Sequence, residues 1–208
     1  MILNEDKFKN VVLFFLTHCN NSQLGKTKLL KLFYFLDFGY YAENEKSITN
    51  STYVRYQYGP IPAIAESLLR QMKKDHQIMS FNATYHGKRQ TRYAALAGFN
   101  PDLFTKDELN YLWAVARTYS LLNADEVMSI AHSETPWLVT EPLQFISYEL
   151  AKLRDLTNLE EVRKLKKVAA TLTYDDIIKN TPNLLDGVKE AIGLLPKSKF
   201  YSYDEVFN

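Results

Sequence analysis

The sequence has almost no cysteine and almost no net charge. Cys19 is the single cysteine among 208 residues, which excludes an intrachain disulfide and a zinc site built from several cysteines. The formal net charge is +1, so the chain lacks the overall basic field of a dedicated nucleic-acid-binding protein. Apolar runs are too short to span a membrane, and residues 1–10 carry four charges without a signal-peptide core. We therefore expect a cytoplasmic protein with no membrane partner.

Signatures of catalysis are missing as well. The four histidines are scattered, and none stands beside other ligands at metal-site spacing: His18, His76, His86 and His132. There is no Gly-x-Ser-x-Gly motif, and Gly25-Lys26-Thr27 is not a phosphate loop, because Asn20 replaces its first glycine. A hydrolase using Cys19 or His132 would need the fold to bring partners together, whereas a lone cysteine on an apolar helix face is usually core. We predict that the protein is not an enzyme and that it has neither a cofactor nor a metal site.

The most informative stretch is residues 25–41. Its apolar residues recur at i, i+3, i+4, i+7 and i+11, which is one face of a helix: Leu29, Leu32, Phe33, Leu36 and Tyr40. Further aromatic and aliphatic residues cover the other sides, and a helix that is apolar nearly all round is a buried one. The sequence therefore predicts a central helix that the other elements surround.

Charged residues interrupt the apolar surface of this helix. Lys28 and Lys31 lie one turn apart, and Asp37 lies too far round the helix to pair with Lys31. An unpaired buried charge is costly, so each side chain must reach solvent or find a partner on another element. Two roles stay open for them: they lock the fold, or they line a binding groove.

The remaining patterns predict a mainly α fold with a small β element (α+β), namely a helical domain around the buried central helix with a short strand and a β-hairpin. Helices are predicted at 4–19, 62–75, 106–119, 123–132, 145–156, 159–170 and from 181 onward. A strand is predicted at 52–56, a turn at 57–62, a hairpin at 78–96, a loop at 133–137 and an aromatic tail at 197–208.

Two blocks of sequence carry a family resemblance. One is residues 27–37, and the other joins Ile48-Thr49 to residues 53–62; a weaker third block runs from Met128-Ser129-Ile130-Ala131-His132 to Pro136-Trp137. Together they resemble the Panacea domain of the SocA-like antitoxins over roughly residues 10–140. The resemblance implies a mostly helical fold with a small β element and no catalytic residues. It also implies an antitoxin of a bacterial or phage toxin–antitoxin pair, whose relatives neutralise toxins by direct contact and in one lineage deliver the toxin to a protease.

From the resemblance we expect a Panacea-like antitoxin domain at 1–144 and a helical extension with an aromatic tail at 145–208, packed on the first domain. The expected partner is a cognate toxin protein, with a protease or operator DNA as further candidates and the oligomeric state left open. The candidate partner-binding residues are Lys28, Lys31, Asp37, Arg55, Tyr58, Trp137, Tyr201 and Tyr203.

The alternative hypothesis is a DNA-binding transcriptional regulator of its own operon. The tip of the 78–96 hairpin is basic, with Lys88, Arg89 and Arg92, and so is the helix predicted at 159–167. A hairpin with a basic tip is typical of a DNA-binding wing, although local runs of charge more often mark a solvated surface.

Overall fold

A computed structural model describes residues 2–20, 22–85 and 87–153. These residues form six α-helices, which are α1 (Glu5–His18), α2 (Lys26–Asn44), α3 (Ala65–Lys74), α4 (Lys106–Tyr119), α5 (Ala124–Ser133) and α6 (Thr135–Val139). They also form five strands, which are β1 (Tyr53–Tyr56), β2 (Gly59–Pro62), β3 (Ile78–Tyr85), β4 (Lys88–Ala95) and β5 (Phe145–Ile146), and 3-10 turns at Pro101–Leu103 and Tyr148–Leu153. This mainly helical α+β architecture confirms the predicted fold class.

Helix α2 lies at the centre of the fold. Leu29, Leu32, Phe33 and Leu36 are fully buried. The helix contacts α1, α4, α5, both sheets and the 3-10 turn at Tyr148–Leu153. The prediction of an enclosed central helix is therefore confirmed, and the apolar residues on every side of α2 each have an element to pack against.

Three of the surrounding helices, α1, α4 and α5, begin where the sequence predicts. The Asn4 side chain accepts a hydrogen bond from the Lys7 N–H at 3.0 Å and caps α1. Thr105 with Glu108 and Asn123 with Glu126 form capping boxes that open α4 and α5. These local hydrogen bonds fix the start of each helix, and tertiary packing then orients it, as when Phe8 of α1 stacks on Phe33 at 4.3 Å.

The first sheet has the antiparallel order β2-β1-β5. The predicted turn at 57–62 is wrong in its second half, since Gly59–Pro62 is a strand that pairs with Tyr53–Tyr56. Prolines fit there because β2 is an edge strand and its outer side needs no N–H donors. Helix α3 consequently begins at Ala65 rather than at Pro62.

Two further predictions along this edge of the fold are corrected. Phe145–Ile146, predicted as helix, pairs with Val54 and Tyr53 of β1, because a two-residue strand is selected by its partner and not by its own pattern. The predicted loop around Trp137 contains the short helix α6, which Pro136 favours at its first turn.

The second sheet is the hairpin of β3 and β4, as predicted. Its register pairs Ile78 with Ala95 and Tyr85 with Lys88. At its base Ile78 and Tyr93 are buried against the core, whereas Met79 and Phe81 on the opposite face are exposed. The hairpin therefore lies with one face against the helical body, and Arg92 of β4 forms a further bridge to Gly25 before α2.

Several predictions fall outside the described residues. They are the helices at 159–170 and from 181, the tail with Tyr201 and Tyr203, and the packing of residues 154–208 on the first domain. The domain boundary at 144 thus stays a prediction. Within residues 2–153, apart from the two single-residue gaps, no helix combines the length and apolar character needed to cross a membrane.

Candidate functional site

Lys28 is held inside the fold by main-chain oxygens. Its Nζ donates to the carbonyls of Ser120 and Leu122 at 2.8 and 2.6 Å, at the end of α4. The side chain has no exposed surface, so it does not reach water past the neighbouring aromatics. Burial lowers its pKa. Lys28 thereby ties α2 to the loop between α4 and α5.

Lys31 is buried beside the turn that joins β1 to β2. Its Nζ donates to the Tyr58 carbonyl, and burial lowers its pKa to about 7. Gly59 follows with φ +116°, and a Cβ at this residue would lie 2.5 Å from the Lys31 Nζ. Glycine suits this position for two reasons, which are its backbone conformation and the close approach of the lysine.

Asp37 binds the segment that precedes β1. One carboxylate oxygen accepts the N–H groups of Ile48 and Thr49 at 3.0 and 2.9 Å, and the other accepts the hydroxyls of Thr49 and of Tyr53, the latter at 2.7 Å. Burial raises the pKa of Asp37, while these hydrogen bonds oppose the rise. The contacts of Lys28 and Asp37 favour the first of their two predicted roles, which is to lock the fold.

A stack of aromatic and cationic side chains lies next to Lys31. The Arg55 guanidinium lies 4.4 Å from the ring centre of Trp137, and the His132 ring stacks on Trp137 at 4.0 Å with an interplanar angle of 8°. Arg55 also donates to the carbonyl of Thr140. Trp137 therefore contacts both a cation and an imidazole, through a cation–π and a ring-stacking contact.

The electrostatics of this stack keep its imidazole neutral. Burial lowers the pKa of His132 to about 4, and the nearby charges of Lys31 and Arg55 act in the same direction. The Nε2 of His132 and the Nε of Arg55 are buried without a hydrogen-bond partner among the described residues. We call Lys31, Arg55, Gly59, His132 and Trp137 the signature cluster, because it joins all three sequence blocks that carry the resemblance.

Arg55, which belongs to this cluster, and Tyr58, whose carbonyl contacts Lys31, are half-buried. Trp137 is 9% exposed, whereas Lys28, Lys31 and Asp37 are fully enclosed. The sequence reasoning missed the roles of Gly59 and His132. Gly59 lies in a Gly-Pro motif, which by itself indicates only a turn, and no local pattern indicates the stacking of His132 on Trp137.

The basic residues of the hairpin differ in their surroundings. Lys88 and Arg89 are exposed at the tip, and the Lys88 Nζ lies 3.6 Å from a carboxylate oxygen of Asp125. Arg92 instead donates to the Ser22 carbonyl at 2.6 Å, which fixes it to the loop before α2. The tip thus offers two accessible cations.

The described residues offer little reactive chemistry. Cys19 is buried, and burial raises its pKa to about 11, so the thiol stays protonated near neutral pH and is a poor nucleophile. In the part of the chain that the structure covers, no three His, Cys, Asp or Glu side chains are grouped to hold a metal ion.

Comparison with known proteins agrees with the resemblance. A family model described as "Antitoxin SocA-like, Panacea domain" matches residues 29–138, which is more than half of the 208 residues and runs from α2 into α6. No curated protein and no solved structure matches the chain. The matched span contains the complete signature cluster and the β3–β4 hairpin. The chain belongs to the SocA-like antitoxin family, whose members carry the Panacea domain.

Proposed function

We propose that this protein is the antitoxin of a bacterial or phage toxin–antitoxin pair and neutralises its cognate toxin in the cytoplasm by direct protein–protein binding. The observation that carries the proposal is the match of the antitoxin family model across residues 29–138. No catalytic step is part of the proposal, because binding alone can occlude a toxin.

The described contacts separate the predicted residues into scaffold residues and proposed toxin contacts. Lys28, Lys31 and Asp37 have internal partners and shape the scaffold. Arg55 and Tyr58 border the signature cluster at the surface and are the proposed toxin contacts in this region, with Trp137 positioning Arg55. Aromatic and arginine side chains with part of their surface desolvated are the usual centres of binding energy at interfaces. Tyr201 and Tyr203, outside the described residues, remain proposed contacts of the tail.

The proposal is tested with the product of the neighbouring reading frame. Expressed alone it should stop growth, and co-expression of the present chain should restore growth. The two purified proteins should then form a complex that survives gel filtration. A neighbour that is harmless, or toxicity that the chain does not relieve, would overturn the proposal.

A pair of variants separates contact from scaffold. Tyr58→Ala removes a half-buried side chain but keeps the carbonyl that accepts from Lys31, so the variant should still fold cooperatively on thermal melting while its affinity for the toxin falls at least about tenfold. Gln57→Ala, at the exposed neighbouring residue, is the matched control and should leave both unchanged. A Tyr58→Ala variant with wild-type affinity would remove this region from the proposed interface.

Neutralisation by occlusion and neutralisation by delivery to a protease predict different fates for the toxin. Occlusion keeps the toxin at a constant level in an inactive complex, whereas delivery shortens its half-life when the antitoxin is present. Pulse-chase measurement of toxin in growing cells distinguishes the two.

A second candidate function is transcriptional regulation of the operon through DNA binding. It is favoured by the hairpin 78–95, which contains three basic residues and no acidic residue. Binding driven by phosphate contacts falls steeply with added salt. Operator binding that disappears between about 50 and 200 mM salt, beside a toxin complex that persists, would show that both functions are present.

A further inference from the structure

The outer edge of β3 is an open strand edge. Within the described residues, β3 pairs with β4 on one side and with no strand on the other. The Leu96 N–H donates to the Gln77 carbonyl, so these two residues form a hydrogen-bonded pair at the base of the hairpin. Hydrogen-bonded and non-hydrogen-bonded pairs alternate along an antiparallel ladder, so every second residue of β3 after Gln77 also bonds to β4. The backbone groups of Ser80, Asn82 and Thr84 consequently point away from β4, and all three residues are exposed.

This edge lacks the features that protect other edge strands. Between Ile78 and Tyr85 there is no charged residue, no proline and no glycine. Natural proteins block exposed edges with such residues, because an unprotected edge is a template for pairing with another chain. Met79 and Phe81, at alternate positions on one face, are 47% and 44% exposed. An added strand would therefore find both backbone partners and apolar side chains.

We propose that β3 is the docking edge for an extended segment of the cognate toxin, which adds to the hairpin as a third strand. The inference rests on the proposed antitoxin function and specifies a surface and a binding mode for it. Strand addition takes its affinity from main-chain hydrogen bonds and its specificity from alternate side chains. The matching segment carries apolar residues opposite Met79 and Phe81 and acidic residues near the hairpin tip.

The charge of the hairpin favours a toxin segment over a second copy of the chain as the strand that adds to β3. Residues 78–95 include Lys88, Arg89 and Arg92 and no Asp or Glu. Edge-to-edge pairing of two copies would bring together two hairpins that each carry these cations and no carboxylate, so a second copy offers them no partner of opposite charge. A toxin segment with acidic residues instead gains attraction, which also raises its rate of association.

The test is a backbone substitution that spares the hairpin. Asn82→Pro removes an N–H that points outward and keeps every hydrogen bond between β3 and β4, and edge strands tolerate proline at such positions. Asn82→Ala is the matched control, since it removes the side chain and keeps the N–H. With the toxic product of the neighbouring reading frame as the probe, Asn82→Pro should raise the Kd at least about tenfold, and Asn82→Ala should keep it within about twofold.

Hydrogen exchange on the full-length wild-type chain gives an independent measure that needs no variant. The amides of Ser80, Asn82 and Thr84 should exchange rapidly in the free protein and slowly in the complex. Those of Phe81 and Ala83, bonded to β4, should be protected in both states. This result would support the docking edge even if Asn82→Pro failed to fold.

Several outcomes would overturn the inference. The toxin could bind Asn82→Pro as tightly as the wild type, or Asn82→Ala could lose as much affinity as Asn82→Pro. The outward amides could already be protected from exchange in the free chain, or only operator DNA could protect them. The wild type could form a dimer that Asn82→Pro dissociates. Each of them leaves neutralisation by the wild-type chain intact. A wild-type chain that neither binds nor neutralises the neighbouring product would refute the antitoxin proposal itself.

Discussion

Replacing Lys31 by methionine should stabilise the protein in acid and have little effect in base. The Lys31 ammonium is fully buried with the Tyr58 carbonyl as its acceptor, and burial lowers its pKa from 10.5 to about 7. Since a tenfold change in proton affinity corresponds to about 1.4 kcal/mol, keeping this charge in the fold costs roughly 5 kcal/mol below pH 7. Methionine has a similar length and no charge.

The sign follows from which state binds the proton more tightly. Lys31 binds its proton more tightly in the unfolded chain than in the fold. The free energy of unfolding of the wild type therefore rises with pH between about 7 and 10.5 and is lowest below pH 7. Methionine leaves the Tyr58 carbonyl without its donor, at a cost of about 1–3 kcal/mol. Lys31→Met should therefore gain about 2–4 kcal/mol at pH 6 and roughly nothing at pH 9.

Chemical denaturation at pH 6, 7, 8 and 9 measures this difference directly. His132, with a pKa of about 4, stays neutral in the folded state across this range. Its protonation in the unfolded chain near pH 6 is common to wild type and variant, so it cancels from the difference between them. Lys74→Met, at an exposed residue near the end of α3, is the control and should give a small difference that does not change with pH. If the Lys31→Met difference is also independent of pH, the ammonium is not buried as described and the reasoning fails.

Further substitutions test the centre of the fold. Phe33→Ala should lower the free energy of unfolding by about 2–5 kcal/mol through the cavity it leaves, and an unchanged denaturation midpoint would contradict the burial of α2. Asp37→Ala leaves two N–H groups unpaired and should lower the free energy of unfolding by about 2–5 kcal/mol. Asp37→Asn keeps an acceptor for these groups and should lower it by less. Equal losses in chemical denaturation would show that the carboxylate does not hold the backbone of residues 48–49. Gly59→Ala should cost about 1–3 kcal/mol through its positive φ and the contact with Lys31, which thermal melting checks; a wild-type melting temperature would mean that the turn adjusts.

The sequence predicts those parts of the fold that local interactions determine. The period of the apolar residues in α2 and the capping pairs at Thr105 and Asn123 depend on neighbours a few residues away, and the structure confirms each of them. Strands β2 and β5 depend on pairing with β1 across the fold. Gly59-Pro60 therefore resembles a simple turn, and two residues such as Phe145-Ile146 contain no period at all.

The candidate site is predicted only in part for the same reason. The apolar surroundings of Lys28 and Lys31 indicate that each needs a partner. The partners are carbonyls at Ser120, Leu122 and Tyr58, which lie 92, 94 and 27 residues away in sequence. Main-chain carbonyls occur at every residue, so no side-chain pattern distinguishes the ones that the fold brings to a buried lysine.

The enclosure of α2 has a consequence for synthesis on the ribosome. Tyr148 closes one side of the helix by stacking on Phe38 at 4.8 Å and bonding the Ser51 carbonyl, 97 residues earlier in the chain. At roughly 5–20 residues per second, translation of that interval takes on the order of 5–20 s. During this time the aromatic surface of α2 that Tyr148 covers lacks this covering residue, and transiently exposed apolar surface of this kind is prone to aggregation until the residue has been synthesised.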